Sequence, residues 1–267
     1  EEKCERKAGI LAMILAIDIG NTNIVIGCID EKKCLFVERL STVRTKTELE
    51  YAFDVKNVLD IYHIKRTDIE GGIISSVVPQ VTTVAKLAVE KILKKEVLVV
   101  GAGIKTGLNI RIDNPAQLGS DLVVDSVAGI AEYPVPLLIF DMGTANTVCV
   151  IDKNKNYIGG MIYPGIGVSL DSLTAHASQL GGISLEAPAH IIGKNTVDCM
   201  KSGTIYSAAA AIDGIIDRLQ EELGGQATVI ATGGLAKKIV PYCRRKIILD
   251  DNLLLKGLAV IYRKNRK

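Results

Sequence analysis

Tryptophan is absent from this 267-residue chain, and phenylalanine and tyrosine number only three and eight. Few flat rings are available to stack on bases or sugars, so the core must be built from Ile, Val, Leu and Ala. A surplus of either charge is also missing. Lys+Arg 32 against Asp+Glu 30 leaves a formal +2, so no broad field draws nucleic acid or an anionic membrane, and any anion site has to be built locally. The basic end Arg263–Lys267 reads as a solvated terminus. No C-x-x-C pair occurs. Cys4, Cys28, Cys34, Cys149, Cys199 and Cys243 are scattered and apart from His63, His176 and His190, which excludes a zinc ligand set or disulfide framework and fits a reducing, cytoplasmic setting. No uninterrupted apolar run reaches about 18 residues, so a membrane-spanning helix is not expected. Signatures of the P-loop, the dinucleotide-binding Rossmann turn, the G-x-S-x-G hydrolases and the H-E-x-x-H metalloproteases are all absent.

What is present is 48% hydrophobic content with a mean hydropathy of +0.27, enough for a large α/β core and, at this length, two domains. Residues 1–12 are set aside as a leader or an artificial remnant. The run Ile10–Ile17 ends in Asp18 and reads as a buried strand. The sequence then echoes itself. Met13 to Thr42 runs strand, glycine-containing turn, strand, charged turn (Asp30, Glu31, Lys32, Lys33), strand, and Leu137 to Pro164 repeats that order. At an offset of 123, Asp18 falls on Asp141, Gly20 on Gly143, Asn23 on Asn146 and Val25 on Val148, which indicates a duplication. Two prolines in Tyr133–Pro136 mark the boundary, giving domains 13–133 and 134–267.

Between these landmarks the pattern predicts several elements. Thr45 or Thr47 with Glu48 or Glu50 offers a capping box for a helix carrying Leu49, Phe53, Val55, Val58 and Leu59 on one side. A strand Gly72–Val78 ended by Pro79, a helix Val81–Lys94 and a strand Val97–Val100 follow. Further helices are expected at Asp121–Ala131, near Val168–Gln179, at Thr196–Leu223 and after Asn252, with a strand at Thr228–Ala231.

Three constellations suit phosphoryl chemistry. Asp18-Ile19-Gly20-Asn21-Thr22-Asn23 closes a buried strand with a glycine that lets backbone approach a phosphate, and with a carboxylate able to hold a hydrated divalent cation. An ordinary hairpin turn would use the same residues, but their repetition at Asp141-Met142-Gly143-Thr144-Ala145-Asn146 favours two phosphate loops. Thr232-Gly233-Gly234-Leu235-Ala236 is a strand-to-helix turn, either plain or adenosine-bearing. Asp121 stands at a helix start, where the dipole favours its anion; it either caps the helix or accepts a hydroxyl proton.

Together these motifs resemble the type III pantothenate kinases, within the acetate-kinase, sugar-kinase, Hsp70 and actin superfamily. The likeness also rests on Ser75–Pro79, Gly103–Asn109, Asn114-Pro115 with Gly119-Ser120-Asp121, Gly159-Gly160 with Pro164-Gly165-Ile166, Gly193–Thr196 and Leu254–Leu258. The resemblance implies an α/β fold of two tandem ribonuclease-H-like (actin-like ATPase) domains with a cleft between them. It implies ATP-dependent phosphorylation of pantothenate to 4'-phosphopantothenate, the first step of coenzyme A biosynthesis. By position, Asp18, Ile19, Gly20, Asn21, Thr22, Asn23, Ile24 and Val25 form the first phosphate loop, Thr144 is a second ATP contact and Asp121 is the general base. Gly119, Ser120, Asp121, Leu122 and Thr196 match the pantothenate side. Asp141 matches a monovalent-cation position (K+ or NH4+), while Mg2+ accompanies ATP near Asp18, through water. A cytoplasmic homodimer is implied, with no nucleic acid or membrane partner.

The chain departs from the family pattern at four places: Leu122 where arginine is usual, Ile112 where tyrosine is common, Asn146 for threonine and Ser207 for glycine. Losing a permanently charged bidentate partner alters the substrate side, since pantothenate carries a carboxylate. A paralogous kinase of another small alcohol and a non-catalytic nucleotide-binding regulator are the alternatives.

Overall fold

A computed structural model describes residues 13–30 and 33–266. The expectations for residues 1–12, and for Glu31 and Lys32 of the first charged turn, lie outside the described residues. Two compact units emerge. One comprises residues up to Gly107 with Leu118–Ala128 and Leu254–Lys267; the other comprises Leu108–Gln117 and Gly129–Leu253.

In the first unit β1 (Met13–Ile19), β2 (Asn23–Ile29) and β3 (Cys34–Ser41) form an antiparallel meander, followed by α1 (Glu48–Ile61), β4 (Ile69–Ser76), α2 (Pro79–Leu93) and β5 (Val97–Val99). The sheet order is β3-β2-β1-β4-β5, with β1, β4 and β5 parallel. Such parallel strands need covered faces, and β1 is accordingly apolar almost throughout, its Ile14 to Ile17 all buried. α3 (Ser120–Glu132) begins in this unit and α7 (Leu253–Asn265) ends in it.

The second unit holds β6 (Asn109–Ile110), β7 (Leu137–Met142), β8 (Ala145–Ile151), β9 (Asn156–Pro164), α4 (Ile166–His176), α5 (Thr196–Leu223), β10 (Thr228–Thr232), the short α6 (Ala236–Ile239) and β11 (Ile248–Leu249). Its order, β11-β10-β7-β8-β9-β6, is that of the first sheet with β6 added beside β9. The duplication read from the sequence is thus a duplication of topology.

The register corrects one detail of that echo. Asp18 pairs with Val25, but Asp141 pairs with Thr147, because the second turn is one residue shorter. Asn146 therefore stands where Ile24 stands, not where Asn23 does, and Val148 answers Ile26. Asn23 is exposed while Asn146 is buried, since a one-residue slip exchanges the faces of a strand. The residue is regained at the next turn, so the bulge at Cys28/Ile29 recurs at Val150/Ile151.

Other expectations shift locally. Thr47 is the cap of α1, with Glu50 completing the box. That phase buries Tyr51, Ala52, Val55, Val58 and Leu59 and leaves Leu49 and Phe53 on the exposed side, contrary to the face expected. β4 stops at Ser76, and Pro79 opens α2, where its missing N–H costs nothing. α4 starts at Ile166, two residues early, after Gly165. The described basic residues at the end are exposed, as expected of a solvated terminus, while Arg263 and Lys264 also donate to the carbonyls of Asp30 and Thr106 and Arg266 lies over the Tyr262 ring. Burial pushes the Cys28 and Cys243 thiols up to about 12, which suits inert packing. No described helix is long and apolar enough to cross a membrane.

Candidate active site

The candidate residues of the first unit cluster at the carboxyl ends of β1 and β4. The turn after β1 is tight: the Gly20 N–H donates to the Asn23 carbonyl at 2.9 Å. Thr42, just beyond β3, staples it, its hydroxyl donating to the Gly20 carbonyl at 2.7 Å and its N–H to the Thr22 carbonyl at 3.0 Å. Asn21, Thr22 and Asn23 are left open to solvent, Asp18 and Val25 are half-buried, and Ile19 and Ile24 are anchored in the core. An open backbone turn on a rigid strand end fits phosphate oxygens. The exposed Arg44 guanidinium reaches Asn21 Oδ1 at 3.4 Å, a cation at the turn that motif reading passed over because it stands outside the motif, just past β3.

Asp121 is the second residue of α3 and is half-buried. Its Oδ1 accepts the Leu122 N–H at 2.9 Å. Burial pushes the carboxyl up from the ordinary aspartate range, while the backbone N–H groups of Leu122 and of Asp121 itself pull the other way. Desolvation therefore outweighs the helix-start effect expected from the sequence, and a raised carboxyl is better matched to proton abstraction near neutral pH. Ser120 directs its hydroxyl into the protein: it lies 3.1 Å from Ser75 Oγ, accepts the Ser76 N–H at 3.2 Å and donates to the Ser76 carbonyl at 3.0 Å. Leu122 is half-buried, as is Ile112 of the second unit.

In the second unit, Gly143 N–H donates to the Ala145 carbonyl at 3.2 Å, closing a turn that exposes Thr144. Thr232 pairs with Asp141 across parallel strands, and the chain then turns back at Gly233, with φ +93°. A Cβ there would collide with Asp141 Oδ1 and the Met142 backbone, and the Leu235 N–H donates to the Met142 carbonyl at 3.2 Å. The glycine turn is thus packed directly against the half-buried Asp141.

Thr196 opens α5 after the cap Asn195, whose side chain accepts the Asp198 N–H at 2.9 Å. It borders a cavity of about 690 Å³ between α4 and α5, walled by Tyr163, Leu170, Met200 and Ser207. Gly193 fits before the cap because any Cβ would meet the backbone of Asp198 and Cys199. Among the described residues no group of three or more His, Cys, Asp or Glu side chains could cage a metal. That is compatible with Mg2+, which keeps waters and is held by one or two carboxylates plus substrate phosphates.

Two sheets that share one strand order, the second extended by β6, each with an acidic residue before a glycine turn, define the class of duplicated ribonuclease-H-like folds. Spiroplasma citri MreB 5 bound to AMPPNP shares the fold with a TM-score of 0.53 and 8% identity, over 96% of this chain and 97% of that one. A Baf family transcriptional activator from Campylobacter jejuni gives 0.54 at 19% identity, over 94% and 98%. Within that class, the chain belongs to the type III pantothenate kinase family. The model of that family matches residues 14–218, and the type III pantothenate kinase of Exiguobacterium sp. strain AT1b is 46% identical over 255 residues, 96% of this chain and 100% of that protein.

Proposed function

We propose that this protein transfers the γ-phosphoryl group of ATP to the primary hydroxyl of pantothenate, the first step towards coenzyme A. The observation that carries the reading is Asp121, a carboxyl raised by burial at a helix start, in a chain of this family. Asp121 accepts the hydroxyl proton as the alcohol oxygen bonds to phosphorus and the bond to the bridging oxygen breaks, its electron pair leaving on ADP. The turn Asp18 to Val25 holds phosphate oxygens, with Arg44 adding charge at Asn21, and Thr144 supplies a second ATP contact. Bound Mg2+ would supply charge neutralisation, Asp18 holding it through water. Asp141, beside the Gly233 turn, suits a monovalent cation, K+ or NH4+.

Gly119, Ser120, Asp121 and Leu122 of the first unit are assigned to the acceptor in this reading, as is Thr196 of the second. As a division of the sequence into repeats we take 13–133 and 134–267; the compact units differ from it in residues 108–117, 129–133 and 254–267. A homodimer is supported by the exposed Ile191, Ile192 and Val197 around the start of α5, and a cytoplasmic setting by the free thiols of the described cysteines. Sedimentation showing only monomer would remove the dimer, and equal activity in sodium and potassium would remove the cation site.

The central test incubates the purified protein with ATP, magnesium, potassium and pantothenate and looks for phosphopantothenate by mass. No product at millimolar pantothenate would defeat the reading. A second reading, a kinase for another small alcohol, is favoured by the apolar Leu122 next to Asp121. Phosphorylation of another member of a panel of acids and polyols, in preference to pantothenate, would select it.

A further inference from the structure

The two residues before Asp121 have features that substrate contact does not explain. Gly119 is not in the left-handed region, so its backbone does not call for glycine. The space does: a Cβ at this position would collide with Asp121 Oδ1, and the other atoms it would approach are Asp121 Cγ at 3.5 Å and Leu122 Cγ at 3.9 Å, both ordinary contacts. The carboxylate lies folded back over Gly119, where its Oδ1 accepts the Leu122 N–H.

Ser120 meanwhile ties the start of α3 to the end of β4 by its contacts to Ser75 and Ser76. Ser75 is fully buried and sits opposite Asp18 in the parallel β1–β4 register, with Ser76 opposite Ile19. Ser76 is itself held, its Oγ accepting the Thr82 hydroxyl at 2.7 Å and the Val78 N–H at 3.1 Å. One short path therefore runs from the strand bearing the Asp18 turn, across β4, through a single hydroxyl, to the residue next to Asp121.

We propose that Gly119 and Ser120 are positioning residues for Asp121: Gly119 leaves vacant the space the carboxylate occupies, and Ser120 fixes the start of its helix relative to the Asp18 turn. This rests on the reading of Asp121 as the general base. Displacing a reacting group by about 1 Å can lower turnover by about 100-fold, so geometry at this point governs rate more than affinity.

The test compares kcat, KM for each substrate and the pH profile in Gly119→Ala, Ser120→Ala and Asp121→Asn. Gly119→Ala is expected to fold normally, because the added Cβ meets no backbone atom, and to lose about 10- to 100-fold in kcat with KM for ATP unchanged. Its acid limb should move to lower pH as the carboxylate leaves its buried place. Ser120→Ala should lose about three- to tenfold in kcat, and Ser120→Thr, which keeps the hydroxyl, should recover most of it. Unchanged kcat in Gly119→Ala and Ser120→Ala beside an inactive Asp121→Asn would overturn the positioning role alone. A raised KM for pantothenate at unchanged kcat would also overturn it, assigning both residues to substrate contact. An active Asp121→Asn would overturn the base reading, and the positioning role with it.

Discussion

The hairpin β1–β2–β3 and its counterpart β7–β8–β9 carry the same pairing, the same bulge and the same pattern of buried positions along β2 and β8, yet their strand ends have diverged. β4 ends in two serines, with Pro79 opening the helix beyond, and the serines hold the start of the helix bearing Asp121. After β10, opposite Asp141, comes a glycine turn pressed against that aspartate. The scaffold is repeated because each sheet must bury the same faces. The strand ends are free of that demand, and in open α/β sheets ligands bind beyond the carboxyl ends of strands.

Exchanging features between the halves tests this division. The largest effect is expected at the feature that has no counterpart: Asp121→Asn should lower kcat by about 10²- to 10⁴-fold while nucleotide binding, followed by calorimetry, persists. Because burial raises this carboxyl, its ionisation in the folded state opposes stability. The protein gains from the neutral form at acid pH and loses that gain as pH rises through the raised pKa. Asp121→Asn should therefore raise the thermal midpoint at neutral pH but not in acid, and wild-type kcat should fall as pH drops through the raised range.

The unlike partners Ile24 and Asn146 give the next contrast. Ile24→Asn places an amide in a full core and should cost about 3 kcal/mol in urea unfolding. The reverse change, Asn146→Ile, removes an Oδ1 that has no hydrogen-bond partner together with the amide contact to the Tyr163 hydroxyl, and should cost less than Ile24→Asn, about 1 kcal/mol or below. The turns should differ likewise. Gly233→Ala, strained at φ +93° and crowded by backbone, should cost about 1–3 kcal/mol, and Gly20→Ala, 3.1 Å from the Asn23 carbonyl, less than about 1. Smallest is Glu50→Ala in the capping box of α1, expected as a slight fall in the thermal midpoint with turnover unchanged.

Much of this was legible in the chain itself. Apolar runs ending in aspartate and glycine, Thr47 with Glu50, and the paired charged turns are local signals, and their repetition displayed the duplication. The motif residues stood out because close backbone approach and helix starts demand particular residue types. The sequence could not separate Thr45 from Thr47 as the cap, nor place Leu49 and Phe53, since both depend on where the first turn of α1 begins.

Strand order in type, turn chemistry and the identity of the acidic residues were thus determined by the sequence alone, because each follows from short-range sterics and hydrogen bonding. Tertiary structure decided what pairs across distance. It shortened the second turn by one residue and so buried Asn146. It set the last helix against the first unit, with Leu255 beside Gly27, Tyr262 beside Gly71 and Gly257 on the Val124 carbonyl. It also brought Ser120 to Ser75 and Ser76, more than forty residues earlier in the chain, and lifted the Asp121 carboxyl by burial. Those outcomes depend on which surfaces exclude water from one another, and no local stretch of sequence contains that information.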